Sequence, residues 1–398
     1  MIKRIKITDF KSIRELDLTL DPVTVIVGRS GTGKSNFVQA IRFLRNLLLN
    51  PEKAVQYELG WDRIAPVGEK DPTTSIELTF SIPGEERDYV YRVGFATRPG
   101  HGRNMLCAES LHLGVEVIFS RRIQSPKIEN GVKLSTHWAW EKAPDVAGRS
   151  PHHPDTPVLG TFPSLQKVVF AYAALINGIG YYHFPATVLS TPKQQSHGEE
   201  FLHSIPGLSD NAANYREVMR GIIQDFHHPD IRRNLLASLR AVNPSIASVE
   251  LDSLINPQRA VVGHTAGGRV FDLALEQESD GLRRFYAHLL ALYQTPPKLT
   301  LIFEEPENAI FPGALALLAD EFKAAPRENR GQVIITTHSP MLLDRFDVDN
   351  IRVVEMQDGK TIIGPVSKEQ REAVKERLLT TGELLTVDQP RTESAQAA

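Results

Sequence analysis

The stretch VTVIVGRSGTGKS, residues 23–35, constrains this chain more than any other. A Val/Ile run that reads as a strand passes directly into Gly28-x-x-x-x-Gly33-Lys34-Ser35. A helical pattern follows, with Phe37, Ile41, Leu44 and Leu48 on one face. Glycines at this spacing let backbone N–H groups curl around phosphates, and the helix N-terminus adds favourable dipole charge. Lys34 is placed to reach the β- and γ-phosphates, and Ser35 to bind Mg²⁺ through its hydroxyl. A plain Gly-rich turn is the competing reading, and the strand-to-helix context argues against it.

A phosphate loop alone does not hydrolyse anything; the reaction also needs a metal-supporting carboxylate and a group that positions the attacking water. LTLIFEEPE, residues 299–307, offers both at the end of an apolar strand, and in a parallel sheet ligands bind at that carboxyl end. Glu304 is assigned to support Mg²⁺ through a coordinated water, since Mg²⁺ takes few direct protein ligands. Glu305 is assigned to polarise the nucleophilic water, with Pro306 redirecting the chain so that both carboxylates serve one site. Glu307 is assigned to the following loop, where a dimer partner could read it. The bland alternative is an acidic surface turn. The run QVIITTHSP ends in His338, which can donate to a γ-phosphate. In ESDGLRR, residues 278–284, Ser279 reads as a helix cap and Gly281 as a position that permits close approach of a phosphate.

The remaining features bound the class. The 398 residues have 41% hydrophobic and 23% charged content and a net charge of −3, ordinary for a soluble protein with a real core and not for a constitutively basic nucleic-acid binder. The single cysteine, Cys107, rules out an internal disulfide and fits a reducing cytosol. The start MIKRIKITDF alternates like a strand, and no apolar run reaches bilayer-spanning length, so a cytoplasmic protein with no membrane partner is expected. Residues 74–140 alternate over short spans separated by turn signals, as in an antiparallel sheet. The histidine pairs in PHHPD (151–155) and HHPD (227–230) are set aside as metal ligands, because adjacent histidines point apart and prolines flank them.

The expected division is 1–60, the N-terminal part of an ATPase lobe; 61–185, a mainly β subdomain; 186–258, a helical lobe; 259–387, the C-terminal ATPase lobe; and 388–398, a tail with the composition of disorder.

The order of IKRIKITDFKSIRELDLTL, VGRSGTGKSN, ESDGLRR, LIFEEPEN and TTHSP resembles ABC-type ATPase heads, and within them the RecF/SMC-related "predicted ATP-binding protein" family. That resemblance implies an α/β P-loop NTPase fold, an ABC-ATPase-like head with an inserted antiparallel β subdomain and helical lobe. It also implies ATP as ligand, with Gly28, Arg29, Ser30, Gly31, Thr32, Gly33, Lys34, Ser35 and Asn36 as Walker A. Leu299–Glu305 would be Walker B, Glu305 the hydrolytic glutamate, His338 the switch histidine and Ser279-Asp280-Gly281 the signature loop. Lys11 in DFKSI matches a basic position near the nucleotide. Such heads work as ATP-bound homodimers that control a partner, here an effector from a neighbouring gene, in anti-phage defence or DNA maintenance. A slow nucleotide switch and a DNA-binding repair ATPase are the alternatives.

This chain departs from the family pattern in carrying Glu304 for the usual aspartate, and Ala309 and Phe311 where the related motif has Gly and His. The Q-loop glutamine stays open between Gln166, Gln194 and Gln195. Long coiled coils and a Toprim module are not apparent in the sequence.

Overall fold

The computed structural model describes residues 1–60, 63–67, 73–97, 104–124, 128–129, 132–133, 137–143, 157–160, 165–185, 187–189, 207–252 and 259–393. In chain order the first half carries β1 (Ile2–Phe10), β2 (Ile13–Thr19), β3 (Val23–Val27), α1 (Lys34–Leu49), α2 (Pro51–Tyr57), β4 (Thr73–Phe80), β5 (Tyr89–Thr97), β6 (Asn104–Leu113), β7 (Glu116–Gln124), β8 (Ile128–Glu129), β9 (Val132–Lys133), β10 (His137–Lys142), α3 (Gln166–Ile176) and β11 (Ile179–Tyr182). The second half carries α4 (Tyr215–Gln224), α5 (Pro229–Val242), β12 (Ile246–Leu251), β13 (Ala260–Ala266), β14 (Arg269–Ala274), α6 (Asp280–Tyr293), β15 (Thr300–Glu304), α7 (Pro312–Arg327), β16 (Gln332–Thr337), α8 (Pro340–Leu343), β17 (Ile351–Gln357), β18 (Lys360–Pro365), α9 (Lys368–Lys375) and α10 (Glu383–Thr386).

These elements fall into two compact units: residues 1–20, 30–176 and 354–363, and residues 21–29, 177–353 and 364–398. The first is built on an antiparallel sheet in the order β10-β7-β6-β5-β4-β1-β2. Alternation in the N-terminal sequence fixes its register: Ile5 and Ile7 face inward opposite Leu18 and Leu16 on one side and Leu78 and Ile76 on the other. The antiparallel sheet expected over 74–140 therefore also takes in the first two strands of the chain. Its buried face meets α1, where the Phe43 ring lies 5.9 Å from Phe10 and 5.7 Å from Phe95. Each such buried aromatic contributes about 2–3 kcal/mol of hydrophobic stabilisation.

At the far side of this unit, Glu109 is buried and accepts hydrogen bonds from Tyr91 Oη (2.9 Å), Arg121 Nε (3.0 Å) and Nη2 (2.7 Å). It also accepts from the backbone N–H groups of Val158 (2.8 Å) and Leu159 (3.1 Å), which ties a distant loop to β6.

The second unit is built on a parallel sheet in the order β11-β15-β16-β3-β17. Its central strands VTVIV and QVIITT are buried at every residue, the pattern of strands covered on both faces. Phe303 pairs with Ile335, Glu304 with Thr336, and Thr337 with Val27, so β15, β16 and β3 end at one edge. Helices α6 and α7 cover the sheet through Phe285, Leu289, Leu318 and Phe322. The small antiparallel sheet β12-β13-β14 and helices α4 and α5 complete this unit. Strands β12 and β18 and helices α9 and α10 extend the elements expected from the sequence, which include a closing strand at residues 351–356. Among the described residues, no helix is long and apolar enough to cross a membrane.

Candidate nucleotide site

In the first unit the loop after Gly28–Arg29 becomes α1. Gly31 (φ 78°) and Gly33 (φ 103°) take left-handed conformations that suit glycine. Gly33 also has no room for a side chain, because a Cβ there would lie 2.1 Å from Thr361 Oγ1. Thr361 donates from that hydroxyl to the carbonyl of Thr32 (2.8 Å) and is bonded to Ser12 Oγ (2.6 Å), which accepts from Asn36 Nδ2 (2.6 Å). Thus Thr361 and Ser12, which carry no signature of their own, support the loop, and Asn36 is part of that support.

Helix α1 starts without a side-chain cap and without an acidic residue in its first turn. The positive end of the helix dipole carries Lys34, which is buried, and Ser35, which is exposed, in the same turn. This donor set fits a phosphate chain and, through the Ser35 hydroxyl, Mg²⁺. Lys11 lies in a left-handed turn (φ 53°), and its amine donates to Gln39 Oε1 (2.7 Å) and forms an ion pair with Glu58.

In the second unit the carboxylates lie beside His338. Glu304 ends β15 half-buried and accepts a hydrogen bond from Tyr181 Oη on neighbouring β11. That tyrosine carries no signature in the run GYYHF; only the pairing of β11 with β15 brings it to the carboxylate. The chain turns at Glu305 itself (φ 47°), one residue before the expected Pro306. A non-glycine residue in this region costs roughly 1–3 kcal/mol. It is held by its N–H donating to Thr336 O (2.9 Å), by Asn308 N donating to its carbonyl (3.2 Å), and by Asn308 Nδ2 donating to Oε2 (3.0 Å). The turn sends the Glu305 side chain toward His338, with Oε1 3.4 Å from Nε2.

Glu307 lies in the loop that follows β15, as expected. It folds back to β16, where Oε1 accepts from Thr337 Oγ1 (2.7 Å) and from the N–H of His338 (2.8 Å). Gly28 follows Val27 directly, so Gly28, the carboxylates and the histidine all leave the sheet of the second unit at one edge.

Residues 278–284 are fixed by neighbours in their own unit. Ser279 caps α6 by accepting from Leu282 N (3.3 Å). Glu278 Oε1 lies 2.6 Å from His264 Nε2, and His264 Nδ1 is 2.9 Å from Ser245 Oγ. The close approach that Gly281 permits is to protein: a Cβ there would sit 2.8 Å from the carbonyl of Ala309. Arg284 Nη1 donates to Asn308 O (2.8 Å), and Arg283 pairs with Asp280. An open cleft of about 430 Å³ lies beside Ser279, Gly281 and Phe311.

Among the other candidates, Gln166 begins α3 and is exposed, while Gln194, Gln195 and PHHPD lie outside the described residues. His228 of the second histidine pair bonds Asp225 Oδ2 through Nδ1 (2.9 Å).

Two family profiles match the chain. Residues 1–94 match "AAA ATPase domain", and residues 173–344 match "AAA domain, putative AbiEii toxin, Type IV TA system". The fold is that of the SMC head domains. The head is similar to the crystal structure of the SmcHead bound to the C-winged helix domain of ScpA, with TM-score 0.54, 16% identity and coverage of 93% of this chain and 99% of that one. It is similar also to the Smc head domain with an extended coiled coil bound to the C-terminal domain of ScpA derived from Pyrococcus furiosus, with TM-score 0.53, 15% identity and coverage of 95% and 99%. Curated relatives are DNA replication and repair protein RecF of Arthrobacter sp. (strain FB24), 47% identical over 47 residues, and of Pseudarthrobacter chlorophenolicus, 45% identical over 47 residues. Each match spans 12% of the head and 12% of the relative.

Proposed function

We propose that this head binds ATP and hydrolyses it to ADP and phosphate, and that ATP-bound homodimerisation controls a protein partner. The observation that carries the reading is the shared edge of β3, β15 and β16, from which Gly28, Glu304, Glu305 and His338 all emerge. Gly31, Gly33 and the start of α1 cradle the phosphates, and Lys34 supplies charge to the β- and γ-phosphates. Ser35 and Glu304 would hold Mg²⁺, which when bound neutralises charge developing on the transferred phosphoryl group. Glu305 orients the attacking water and accepts its proton, and His338 donates to the γ-phosphate. Tyr181 leaves Glu304 oriented by a hydrogen bond while the acid remains half-exposed.

Replacing Glu305 by Gln tests this. ATP turnover should fall about 10²–10³-fold while ATP still binds. ATP-bound dimers should accumulate in native mass spectrometry. Unchanged turnover would remove Glu305 from its assigned role.

A second reading is a slow nucleotide switch that recruits an effector, with hydrolysis incidental. It is favoured by the signature segment, where the close approach at Gly281 is taken up by the Ala309 carbonyl. Wild-type turnover too slow to measure, together with ATP-dependent dimers, would select it. Both readings suit a partner-controlling head in anti-phage defence or DNA maintenance. The RecF relatives make direct DNA binding a third role, which predicts salt-sensitive retardation of DNA.

A further inference from the structure

We propose that Glu307 is the positioning residue for His338, a role that rests on the ATPase reading above. Three observations converge on it. A single oxygen, Oε1, accepts both the Thr337 hydroxyl (2.7 Å) and the His338 backbone N–H (2.8 Å), across 30 residues of sequence. Thr337 Oγ1 in turn accepts from Ser339 N (3.0 Å), and Ser339 Oγ accepts from Leu342 N (3.2 Å), so the segment from β16 into α8 is a relay of bonds that starts at Glu307. The other oxygen, Oε2, is buried and lacks a hydrogen-bond partner among the described residues, so the carboxylate spends its bonding on one side, that of the histidine.

A backbone N–H bonded to a carboxylate makes a charge-assisted hydrogen bond, about twice as strong as a neutral one. It fixes the main chain of His338 rather than its ring. The ring is then free to face Glu305 Oε1, 3.4 Å from Nε2, and to turn toward a phosphate. The two glutamates flanking Pro306 thereby divide the work: Glu305 faces the chemistry, and Glu307 holds the strand end that carries the histidine. Glu307 touches none of the reacting atoms in this arrangement and acts through His338.

The test pairs Glu307→Ala with Glu307→Gln, which keeps an acceptor oxygen, and with His338→Ala. In the full chain, Glu307→Ala should lower kcat for ATP about ten- to a hundredfold while the Kd for ATP stays within about twofold. Glu307→Gln should recover kcat to within about threefold of wild type. Added to His338→Ala, Glu307→Ala should cost less than about twofold more, because two residues acting through one group are not additive. Amide hydrogen exchange, followed without nucleotide, should be at least about tenfold faster at His338 in Glu307→Ala. Unchanged exchange at His338, equal losses in the Ala and Gln variants, or a full additive loss in the His338→Ala background would each overturn the proposal. Should wild type show no turnover, the ATPase reading falls by that result, and the exchange measurement still decides whether Glu307 holds His338.

Discussion

His288 gives a prediction in which the size of the effect follows from burial. It lies in α6 at 3% exposure, donates from Nδ1 to the carbonyl of Arg284 (2.7 Å), and packs among Phe184, Phe303 and Phe322 at ring separations of 4.9, 5.5 and 6.3 Å. Burial, opposed by the bond to Arg284 and reinforced by that residue's charge, lowers its pKa from 6.5 to about 4. The folded value is below the unfolded one, so the unfolded chain takes up a proton that the folded state refuses. The stabilisation from a neutral His288 is thus fully present above pH 6.5 and is lost as pH falls toward 4. A gap of about 2.5 pH units corresponds to about 3 kcal/mol. Urea unfolding of wild type and His288→Leu, followed from about pH 7 down to about pH 4.5, should give stability curves that converge toward acid. The substitution also loses the bond to Arg284 and some packing, but that offset is the same at every pH; the difference in slope is the readout. The other titrating histidines are common to both proteins and cancel. Parallel curves through this window would refute the argument and mean that the folded core accepts the proton near its ordinary pKa.

Two further outcomes follow from contacts already described. Glu109→Ala should destabilise the chain by about 3–5 kcal/mol, because it removes the carboxylate paired with the Arg121 guanidinium at 1% exposure, and a change below about 1 kcal/mol in urea unfolding would contradict a buried ion pair there. Gly281→Ala should cost about 1–3 kcal/mol in the same assay, since its Cβ would meet the Ala309 carbonyl at 2.8 Å, and a neutral result would show that the two loops part easily.

The parts of the head that could be read from the sequence are those whose cause is local. VTVIV and QVIITT are continuous apolar runs, so they read as buried parallel strands, and GRSGTGKS between strand and helix reads as a phosphate loop. What was illegible depends on residues brought together from afar. Thr361 reaches the phosphate loop from 329 positions away, and Tyr181 reaches Glu304 from 123. In sequence they are an ordinary hairpin threonine and one aromatic of a strand. Strand β14, RVFDLA, exposes its first four residues, so its alternation shows little of the edge it forms, and β12 is half-buried along most of its length. The glutamates show where local reasoning stops. IFEEPEN announces a charged turn, but charge alone does not say which carboxylate faces which neighbour. That is set by the left-handed turn at Glu305, which sends its side chain toward His338 while Glu307 returns to Thr337. Ala309 repeats the lesson: its φ of 59° is a conformation that favours glycine, the residue the related motif carries there. The backbone takes this left-handed conformation without a glycine, so the loop is held by its contacts, Arg284 on Asn308 and Gly281 against Ala309, more than by the preference of the residue itself.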